Sequence, residues 1–319
     1  MKLKKVGSIL NKAVKTKGSY TFPKSVLTSE ASFYMGLICG SRNAGKTTTA
    51  VNILTAEKAT MLSGDNHVYW VSSSKDPKVV ALLDAYENNA TYYDELTKRN
   101  IEDVVADITD RNHTWKEEHF LFELMERYLK DEHNISEEEH DVLVDSGLFE
   151  EDMDWEERIK KHNFQHPGIS TLIVDDSVGS ELISGTGRDA KWFLKLLLRH
   201  RHDPLHMNVF ILTQHYKMVN RAIRANCNNI ILFKLLNQEI METIFHEFSP
   251  LFKHNKRYYM QALDLLEKHP HSFLNLWYDK TKFVRLNFDK AIIFDQDDDT
   301  AELKQAAASI PPTEKIKYI

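Results

Sequence analysis

The stretch from residue 33 to residue 54 constrains the fold more than any other part of the chain. An apolar run from Phe33 to Cys39 is typical of a buried strand, and Thr48 to Leu54 carries apolar residues at helical spacing. Between them, Gly40 to Thr47 reads GSRNAGKT and satisfies the pattern G-x-x-x-x-G-K-[ST]. A strand, a glycine-bounded loop and a helix in this order predict a phosphate-binding loop.

The residue types of this loop determine what it would bind. Gly40 and Gly45 allow the backbone to turn with its N–H groups inward, and the helix N-terminus adds a partial positive charge. Lys46 can reach the β- and γ-phosphates of a nucleotide, and Thr47 can ligate Mg²⁺. We therefore predict that ATP and Mg²⁺ bind here, with the nucleotide held by Gly40, Ser41, Arg42, Asn43, Ala44, Gly45, Lys46, Thr47 and Thr48.

Two later apolar runs end in polar residues that suit the same chemistry. Residues 169–174 are followed by Asp175 and Asp176, and residues 208–213 are followed by Gln214. In an open parallel sheet, the carboxyl ends of the strands lie over the ligand crevice. We expect Asp175 to hold Mg²⁺, Asp176 to orient and deprotonate the attacking water, and Gln214 to face the γ-phosphate. A strand that ends in Gln214 directly after the Asp-Asp strand indicates the ATPase branch of the P-loop folds. In that branch the sheet has an additional central strand.

The remaining patterns predict an α/β fold with a mainly parallel central sheet flanked by helices. His67 to Val71 and Asn229 to Phe233 are rich in β-branched and aromatic residues, so they are predicted as further strands. Asp189 to Arg201 and Glu239 to about Lys268 carry helical patterns. Residues 272–288 alternate around a short polar turn and predict a β-hairpin.

The chain divides into one domain with appendages. Residues 21–290 are predicted as the ATPase domain, and residues 77–166 within it as an acidic helical insertion, because acidic runs alternate with amphipathic segments. Residues 1–20 carry six lysines and no acidic residue, which we interpret as a basic tail. Residues 291–319 are interpreted as a C-terminal tail.

Composition and charge exclude several classes of protein. A net charge of -6 argues against a protein that coats nucleic acid through bulk charge. Two cysteines, Cys39 and Cys227, make neither a disulfide framework nor a metal site, and we expect both to be buried thiols. No apolar run is long enough for a membrane span, and the first residues lack the apolar core of a secretory signal. We expect an intracellular protein with no membrane span.

Taken together, the ordered motifs resemble the genome-packaging ATPases of poxviruses, other large double-stranded DNA viruses and virophages, members of the FtsK/HerA superfamily. The resemblance is carried by Gly40 to Thr47, Leu172-Ile-Val-Asp-Asp176, the Arg-His dipeptides at 199–202, Leu212-Thr-Gln214, Arg224-Ala-Asn226 and the terminal hairpin. It covers roughly residues 33–76 and 169–290. The acidic insertion and both tails have no counterpart in it.

The resemblance implies a RecA-like fold and a homo-oligomeric ring that pumps double-stranded DNA into a preformed capsid. It implies a capsid or portal protein as partner, and a location in the host cytoplasm or a viral factory and in association with the virion. Carried over by position, it implies that Lys46 and Thr47 bind phosphate and Mg²⁺ and that Asp175 holds Mg²⁺. It further implies that Asp176 is the base and that Gln214 senses the γ-phosphate.

Arginines are the least determined part of the implied site. Arg201 and Arg224 are candidates for a finger that reaches a neighbouring subunit's site, a role that can contribute on the order of 10³ to 10⁵ in turnover. Arg42 departs from the poxvirus pattern, which has small residues in this loop, whereas viral terminase motors often carry an arginine there. If Arg42 acts within its own subunit, a finger from the neighbour becomes less necessary.

Two other functions stay open at this stage. A P-loop small-molecule kinase would need an acceptor pocket and usually an arginine-rich lid, whereas the long insertion here is acidic. A non-catalytic nucleotide-binding scaffold would not need a base, yet both aspartates accompany Lys46. Outside the site, Lys253, Lys256 and Arg257 are candidates for contacting DNA, with a solvated helix face as the simpler interpretation.

Overall fold

The computed structural model describes residues 2–5, 14–15, 21–22, 27, 33–60, 66–131, 134–146, 166–177, 179–235, 237–268, 271–278 and 282–294. The strands are β1 (Lys2–Lys5), β2 (Val14–Lys15), β3 (Thr21–Phe22), β4 (Met35–Cys39), β5 (His67–Ser72), β6 (Ala90–Tyr93), β7 (Ser170–Asp175), β8 (Met207–Thr213), β9 (Asn229–Phe233), β10 (Phe273–Tyr278), β11 (Lys282–Leu286) and β12 (Lys290–Ile293).

The helices follow the strands in alternation along most of the chain. They are α1 (Lys46–Thr60), α2 (Pro77–Tyr86), α3 (Lys98–Lys130), α4 (Glu137–Asp145), α5 (Glu181–Ser184), α6 (Arg188–Leu198), α7 (Arg221–Asn226), α8 (Gln238–Phe248) and α9 (Lys256–Lys268). None of the helices within the described residues combines the length and the apolarity that crossing a membrane requires.

Ten strands form one sheet in the order β1-β12-β11-β10-β9-β4-β8-β7-β5-β6. The strands from β9 to β6 pair in parallel, and the other four pair antiparallel. Strand β8 lies between β4, which leads into the glycine-rich loop, and β7, which ends in the first aspartate. The predicted additional central strand is therefore confirmed, and with it the RecA-like α/β fold.

Register brings the carboxyl ends of the central strands to one edge of the sheet. Cys39 pairs with Thr213, and Asp175 pairs with Leu212 on one side and with Ser72 on the other. The residues that follow these strands therefore emerge side by side. This is the edge at which parallel α/β sheets bind ligands.

The core explains why these segments fold as they do. Every residue of β4, β7, β8 and β9 is buried, as expected for parallel strands covered on both faces. Successive side chains alternate between the faces: Leu37 belongs to the cluster formed with α3 and α6 to α9, whereas Ile38 packs with α1 and α2. Cys39 and Cys227 are buried free thiols, as predicted.

Residues 77–166 differ from the predicted helical insertion at their beginning. Helix α2 packs on the sheet, and β6 extends the sheet by pairing in parallel with β5. The long helix α3 packs on the core through Ile101, Val104 and Ile108, and its distal half forms a small separate core with α4. Residues 147–165, with the densest acidic run, lie outside the described residues.

Both chain ends also differ from the predicted tails. Strand β1 pairs antiparallel with β12, so Lys2–Lys5 and Lys290–Ile293 extend the sheet beyond the predicted hairpin, which β10 and β11 form. Backbone pairing at an open sheet edge therefore holds part of each segment that the sequence analysis interpreted as a tail. Residues 295–319, the rest of the C-terminal tail, lie outside the described residues.

Candidate nucleotide site

The loop between β4 and α1 has the backbone conformation that a phosphate cradle requires. Gly45 has a φ of 108° and Asn43 a φ of 62°, both in the left-handed region that the turn needs. A Cβ on residue 40 would lie 2.6 Å from the Cβ of Phe233, so the loop approaches β9 too closely for any residue but glycine. The Gly40 N–H donates to the Thr213 carbonyl at 3.2 Å, which ties the loop to β8.

Lys46 begins α1 and folds back over the loop. Its Nζ donates hydrogen bonds to the carbonyl oxygens of Gly40 at 3.1 Å and Ser41 at 3.0 Å. Burial lowers the pKa of the Lys46 ammonium, and the nearby Asp175 opposes that shift. The positive charge therefore lies at the loop itself, where it can reach phosphate oxygens held by the loop N–H groups.

Thr47 and Asp175 meet across α1 and β7. The Thr47 hydroxyl donates to the Asp175 carboxylate, with 3.1 Å between Oγ1 and Oδ2. Asp175 is only 8% exposed, and this burial raises its pKa to about 6 against the opposing effects of Thr47 and Lys46. The sequence prediction placed this hydroxyl and this carboxylate at the same ion, and the structure brings them together.

These two oxygen donors fit Mg²⁺ in the way that nucleotide sites hold it. Mg²⁺ prefers oxygen ligands and keeps several waters, so proteins bind it with one or two side chains plus substrate phosphates. Among the described residues, no group of three or more His, Cys, Asp or Glu side chains is arranged to hold a metal. The geometry therefore suits an ion that arrives with a nucleotide.

Asp176 and Gln214 form a second pair at the same edge. Gln214 Nε2 donates to Asp176 Oδ1 at 3.3 Å. Asp176 is exposed and has a φ of 51°, a left-handed conformation that aspartate tolerates better than most residues. The turn separates the two neighbouring aspartates, so Asp175 contacts Thr47 inside the protein while Asp176 stays open to solvent.

An acidic cleft of about 480 Å³ opens beside Asp176. Its lining includes Asp94 and Glu95 after β6, Glu181 on α5 and Asp189 on α6, with Lys98 as the basic residue among them. A carboxylate-lined cleft repels anionic small molecules. The cleft therefore favours neutral or cationic molecules over anions.

The structure separates the three arginines that the sequence proposed. Arg42 is exposed on the nucleotide loop itself. Arg201 is exposed in the connection that leads into the amino end of β8, so it lies at the opposite edge of the sheet from the loop of its own subunit. Arg42 and Arg201 thus stand on different sides of the molecule.

Arg224, the other candidate for a finger, is engaged inside its own subunit. Its guanidinium donates to Glu247 at 2.7 Å and to the Val219 carbonyl at 2.6 Å, and it lies 4.8 Å from the ring centre of Tyr216. Its side chain is only 8% exposed. Arg224 therefore joins α7 to α8 inside the subunit.

Three further residues near the site gave no usable sequence signal. Phe233, at the end of β9, packs against the loop glycines. The ammonium of Lys78 on α2 donates to the Thr48 hydroxyl at 2.8 Å, beside the first turn of α1. Tyr216, two residues after Gln214, is fully buried and donates its hydroxyl to Glu247. All three depend on contacts between segments far apart in sequence.

No protein-family model matches the chain, and no characterised protein matches it by sequence. Among solved structures, it is similar to the genome packaging NTPase B204 of Sulfolobus turreted icosahedral virus 2 in complex with AMP. The identity is 12% and the TM-score 0.44, over 80% of this chain and 96% of that one.

Two other similar structures come from different systems. One is the pCW3 conjugation coupling protein TcpA with ATPγS, at 15% identity and a TM-score of 0.41, over 95% of this chain and 70% of that one. The other is EssC (ATPases 2 and 3) from Geobacillus thermodenitrificans, at 13% identity and a TM-score of 0.44, over 96% of this chain and 52% of that one. At such identities no residue's role is carried over from these proteins.

Proposed function

We propose that this chain hydrolyses ATP to translocate double-stranded DNA and to package a viral genome into its capsid. The observation that carries the hydrolytic part is the pairing at one sheet edge of Thr47 with Asp175 at 3.1 Å and of Asp176 with Gln214 at 3.3 Å. One pair suits a metal ion and the other suits a water molecule, and both lie beside the nucleotide loop.

In this proposal, the first task of the chain is to bind the phosphates. The N–H groups of the loop and the N-terminus of α1 hold phosphate oxygens, and Lys46 exchanges the carbonyls of Gly40 and Ser41 for them. The Thr47 hydroxyl and the Asp175 carboxylate would hold Mg²⁺. When bound with ATP, Mg²⁺ neutralises charge that develops on the β- and γ-oxygens during transfer.

The second task is to activate water. Asp176 accepts a hydrogen bond from Gln214 at one oxygen, which orients the carboxylate and leaves its other oxygen for a water molecule. As that water attacks the γ-phosphorus, its proton passes to Asp176, and the bond to the β-phosphate oxygen breaks. Gln214 is placed to hold the base and the γ-phosphate in one geometry.

Translocation and packaging rest on the motif series described above: the Asp-Asp strand, the Arg-His dipeptides, the Gln strand and the hairpin. We propose a homo-oligomeric ring with a capsid or portal protein as partner, acting in the host cytoplasm or a viral factory. Arg42 is the candidate to act on its own subunit's nucleotide. Arg201, exposed at the far edge of the sheet, is the candidate to act on a neighbour's.

The test is ATP hydrolysis by the purified chain with and without long duplex DNA. Duplex DNA is expected to stimulate phosphate release in the wild type. Lys46→Ala should lose nucleotide binding and hydrolysis, and Asp176→Asn should bind ATP without hydrolysing it. Asp94→Asn, which changes an exposed carboxylate of the adjoining cleft, is the matched control and should keep DNA-stimulated hydrolysis.

Three other outcomes would contradict the proposal in different ways. Hydrolysis that is indifferent to DNA would contradict the translocase. ATP binding with no turnover in any condition would favour a nucleotide-binding scaffold. ADP production with transfer of phosphate to an added small molecule, in place of phosphate release, would favour the kinase.

A further inference from the structure

Helix α6 carries a row of basic side chains that the proposed nucleotide site does not use. Arg188, Lys191, Lys195 and Arg199, at the start, middle and C-terminal cap of α6, are separated by three, four and four residues. Residues at this spacing lie on one face of an α-helix. All four are exposed. We call these four residues the α6 stripe.

The charge of the α6 stripe is not neutralised within the described part of the chain. None of its four cations forms an ion pair with a carboxylate there, whereas Lys234 pairs with Glu267 at 3.0 Å and Lys256 with Glu242 at 3.0 Å. The acidic residue of α6, Asp189, pairs with Lys98 at 3.3 Å. On a chain with a net charge of -6, this is a concentrated positive surface.

The α6 stripe lies on a rigid support. The opposite face of α6 is anchored in the core by Phe193 and Leu197, both fully buried. Half-buried Trp192 packs against the same core, with the Lys98 ammonium 5.7 Å from its ring centre. Arg188, Lys191, Lys195 and Trp192 line an open groove of about 450 Å³. The cations therefore surround an open hollow on a helix that is anchored in the core.

The helix that bears the α6 stripe is also next to the proposed base. The connection from β7 begins at Asp176 and leads through α5 into α6. Asp176, Glu181 and Asp189 line the same cleft, so the start of α6 and the proposed base border one cleft. A movement of Asp176 during turnover would be transmitted to α6 along the short segment of chain that joins them.

We propose that the α6 stripe binds the phosphate backbone of duplex DNA, an inference that rests on the proposed translocase function. Eleven residues of α-helix span about 16 Å, and a duplex presents one negative charge per about 1.7 Å of its axis, so every cation of the row can face phosphates. Long basic side chains that contact phosphates read no sequence, which suits a motor that moves along any DNA.

The α6 stripe is a stronger candidate than the cluster that the sequence suggested. Lys256, the middle member of that cluster, is engaged by Glu242 on α8. A lysine that is already paired with a carboxylate neutralises a DNA phosphate poorly, so it releases few of the counterions condensed on the DNA. The unpaired cations of the α6 stripe can neutralise phosphates and release those counterions.

Two triple variants of the full chain test the proposal. The stripe variant is Arg188→Gln, Lys191→Gln and Lys195→Gln. The control variant is Lys116→Gln, Lys130→Gln and Lys234→Gln, three lysines paired with Asp203, Glu126 and Glu267 at 2.6, 2.9 and 3.0 Å. Both change the net charge equally. Binding of a labelled duplex is measured from 50 to 200 mM salt by fluorescence anisotropy, and melting temperatures confirm that the folds are intact.

The expected result is a change in salt dependence. Loss of three phosphate contacts should reduce the slope of log K against log salt by about 2.7 in the stripe variant, with little change in the control. The factor by which the affinity falls between 50 and 200 mM salt should then be about 40 times smaller in the stripe variant than in the wild type. A single charge reversal, Lys191→Glu, should weaken binding in the same direction.

Other results would overturn the proposal. Equal slopes in the wild type and the stripe variant, or the same reduction in both triple variants, would remove the α6 stripe as a DNA surface. An unchanged slope with a smaller native mass in light scattering would assign it to contacts between copies of the chain. A wild type that binds no duplex even at 50 mM salt would instead contradict the DNA part of the proposed function.

Discussion

In the absence of metal and nucleotide, Asp175→Asn should make the protein more stable. The same substitution should impair nucleotide binding. The carboxylate is buried beside Thr47, and its burial raises its pKa from 3.8 to about 6. At neutral pH the folded protein therefore holds an ionised group in surroundings that disfavour the charge. Asparagine has nearly the same shape, keeps an oxygen for the Thr47 hydroxyl and carries no charge.

The magnitude follows from the shift in the Asp175 pKa. A difference of about two units at about 1.4 kcal/mol each gives about 3 kcal/mol of destabilisation once the pH exceeds about 6. Between pH 3.8 and about 6 the folded state binds more protons than the unfolded state, so the free energy of unfolding falls as pH rises through this window. At about pH 5 the destabilisation is about half as large.

The assay is urea unfolding followed by tryptophan fluorescence, in a buffer with chelator and no nucleotide. The free energy of unfolding of Asp175→Asn should exceed that of the wild type by about 3 kcal/mol at about pH 8 and by about half as much at about pH 5. Asp94→Asn removes an exposed carboxylate at the same edge of the sheet, and it should change the free energy of unfolding little.

Two results would refute this reasoning. A variant no more stable than the wild type at about pH 8 would mean that burial does not disfavour the ionised carboxylate. An advantage that is the same at both pH values would mean that it arises from packing and not from charge. Addition of Mg²⁺ and ATP should reverse the order, because a ligand that binds the folded wild type stabilises it and the variant has lost a ligand to the ion.

Three further predictions address the loop, the proposed sensor and the buried arginine. Gly40→Ala should weaken ATP binding, measured by calorimetry, because its Cβ would lie 2.6 Å from that of Phe233 and displace the loop; unchanged affinity would show that the loop can shift freely. Gln214→Ala should lower the steady-state rate of ATP hydrolysis by on the order of 10²-fold, with little change in the ATP affinity measured in a binding assay. Equal losses in the hydrolysis rate and in the ATP affinity would make Gln214 a binding residue only. Arg224→Met should destabilise the fold by about 3 kcal/mol in urea unfolding, because the partly buried Glu247 carboxylate loses its cation and keeps only the Tyr216 hydroxyl as a partner. Adding Glu247→Leu should recover part of that loss, and no recovery would place the role of Arg224 outside this ion pair.

Sequence predicted the central part of the fold because its signals are local. A fully buried parallel strand appears as a short apolar run, and the polar residue after it marks the carboxyl edge of the sheet. These two rules placed β4, β7, β8 and β9 and brought Thr47 and Asp175 to one point. The sheet order itself required the further inference that β8 is a central strand.

Sequence missed the parts of the fold that depend on an open edge. Strand β6 is the four residues Ala90–Tyr93, too short and too little alternating to stand out from the polar region around it. Strand β1 has three lysines in four residues, a composition typical of tails, and it pairs with β12 from the opposite end of the chain. Such edge pairing is decided by backbone hydrogen bonds, which side-chain patterns do not report.

The same limit explains why the sequence does not show the burial of Arg224. Sequence shows an arginine shortly after the Gln214 strand, and arginines in that position can reach a neighbour. It does not show that Glu247 on α8, 23 residues later, faces the same helix and engages the guanidinium. An exposed arginine and a buried one have identical local patterns. Only the position of a carboxylate partner in the folded chain distinguishes the two.

The two sides of the proposed base differ in rigidity, and this difference indicates where a nucleotide-driven movement would go. On the β8 side, the chain after Gln214 is fixed by Tyr216, which is fully buried and linked to Glu247 and Arg224. On the β7 side, Asp176 is exposed and its connection borders an open cleft. Loss of the γ-phosphate removes a partner from both sides, but only the β7 side has space to respond. We therefore expect the change to travel through α5 into α6, the helix that carries the basic stripe.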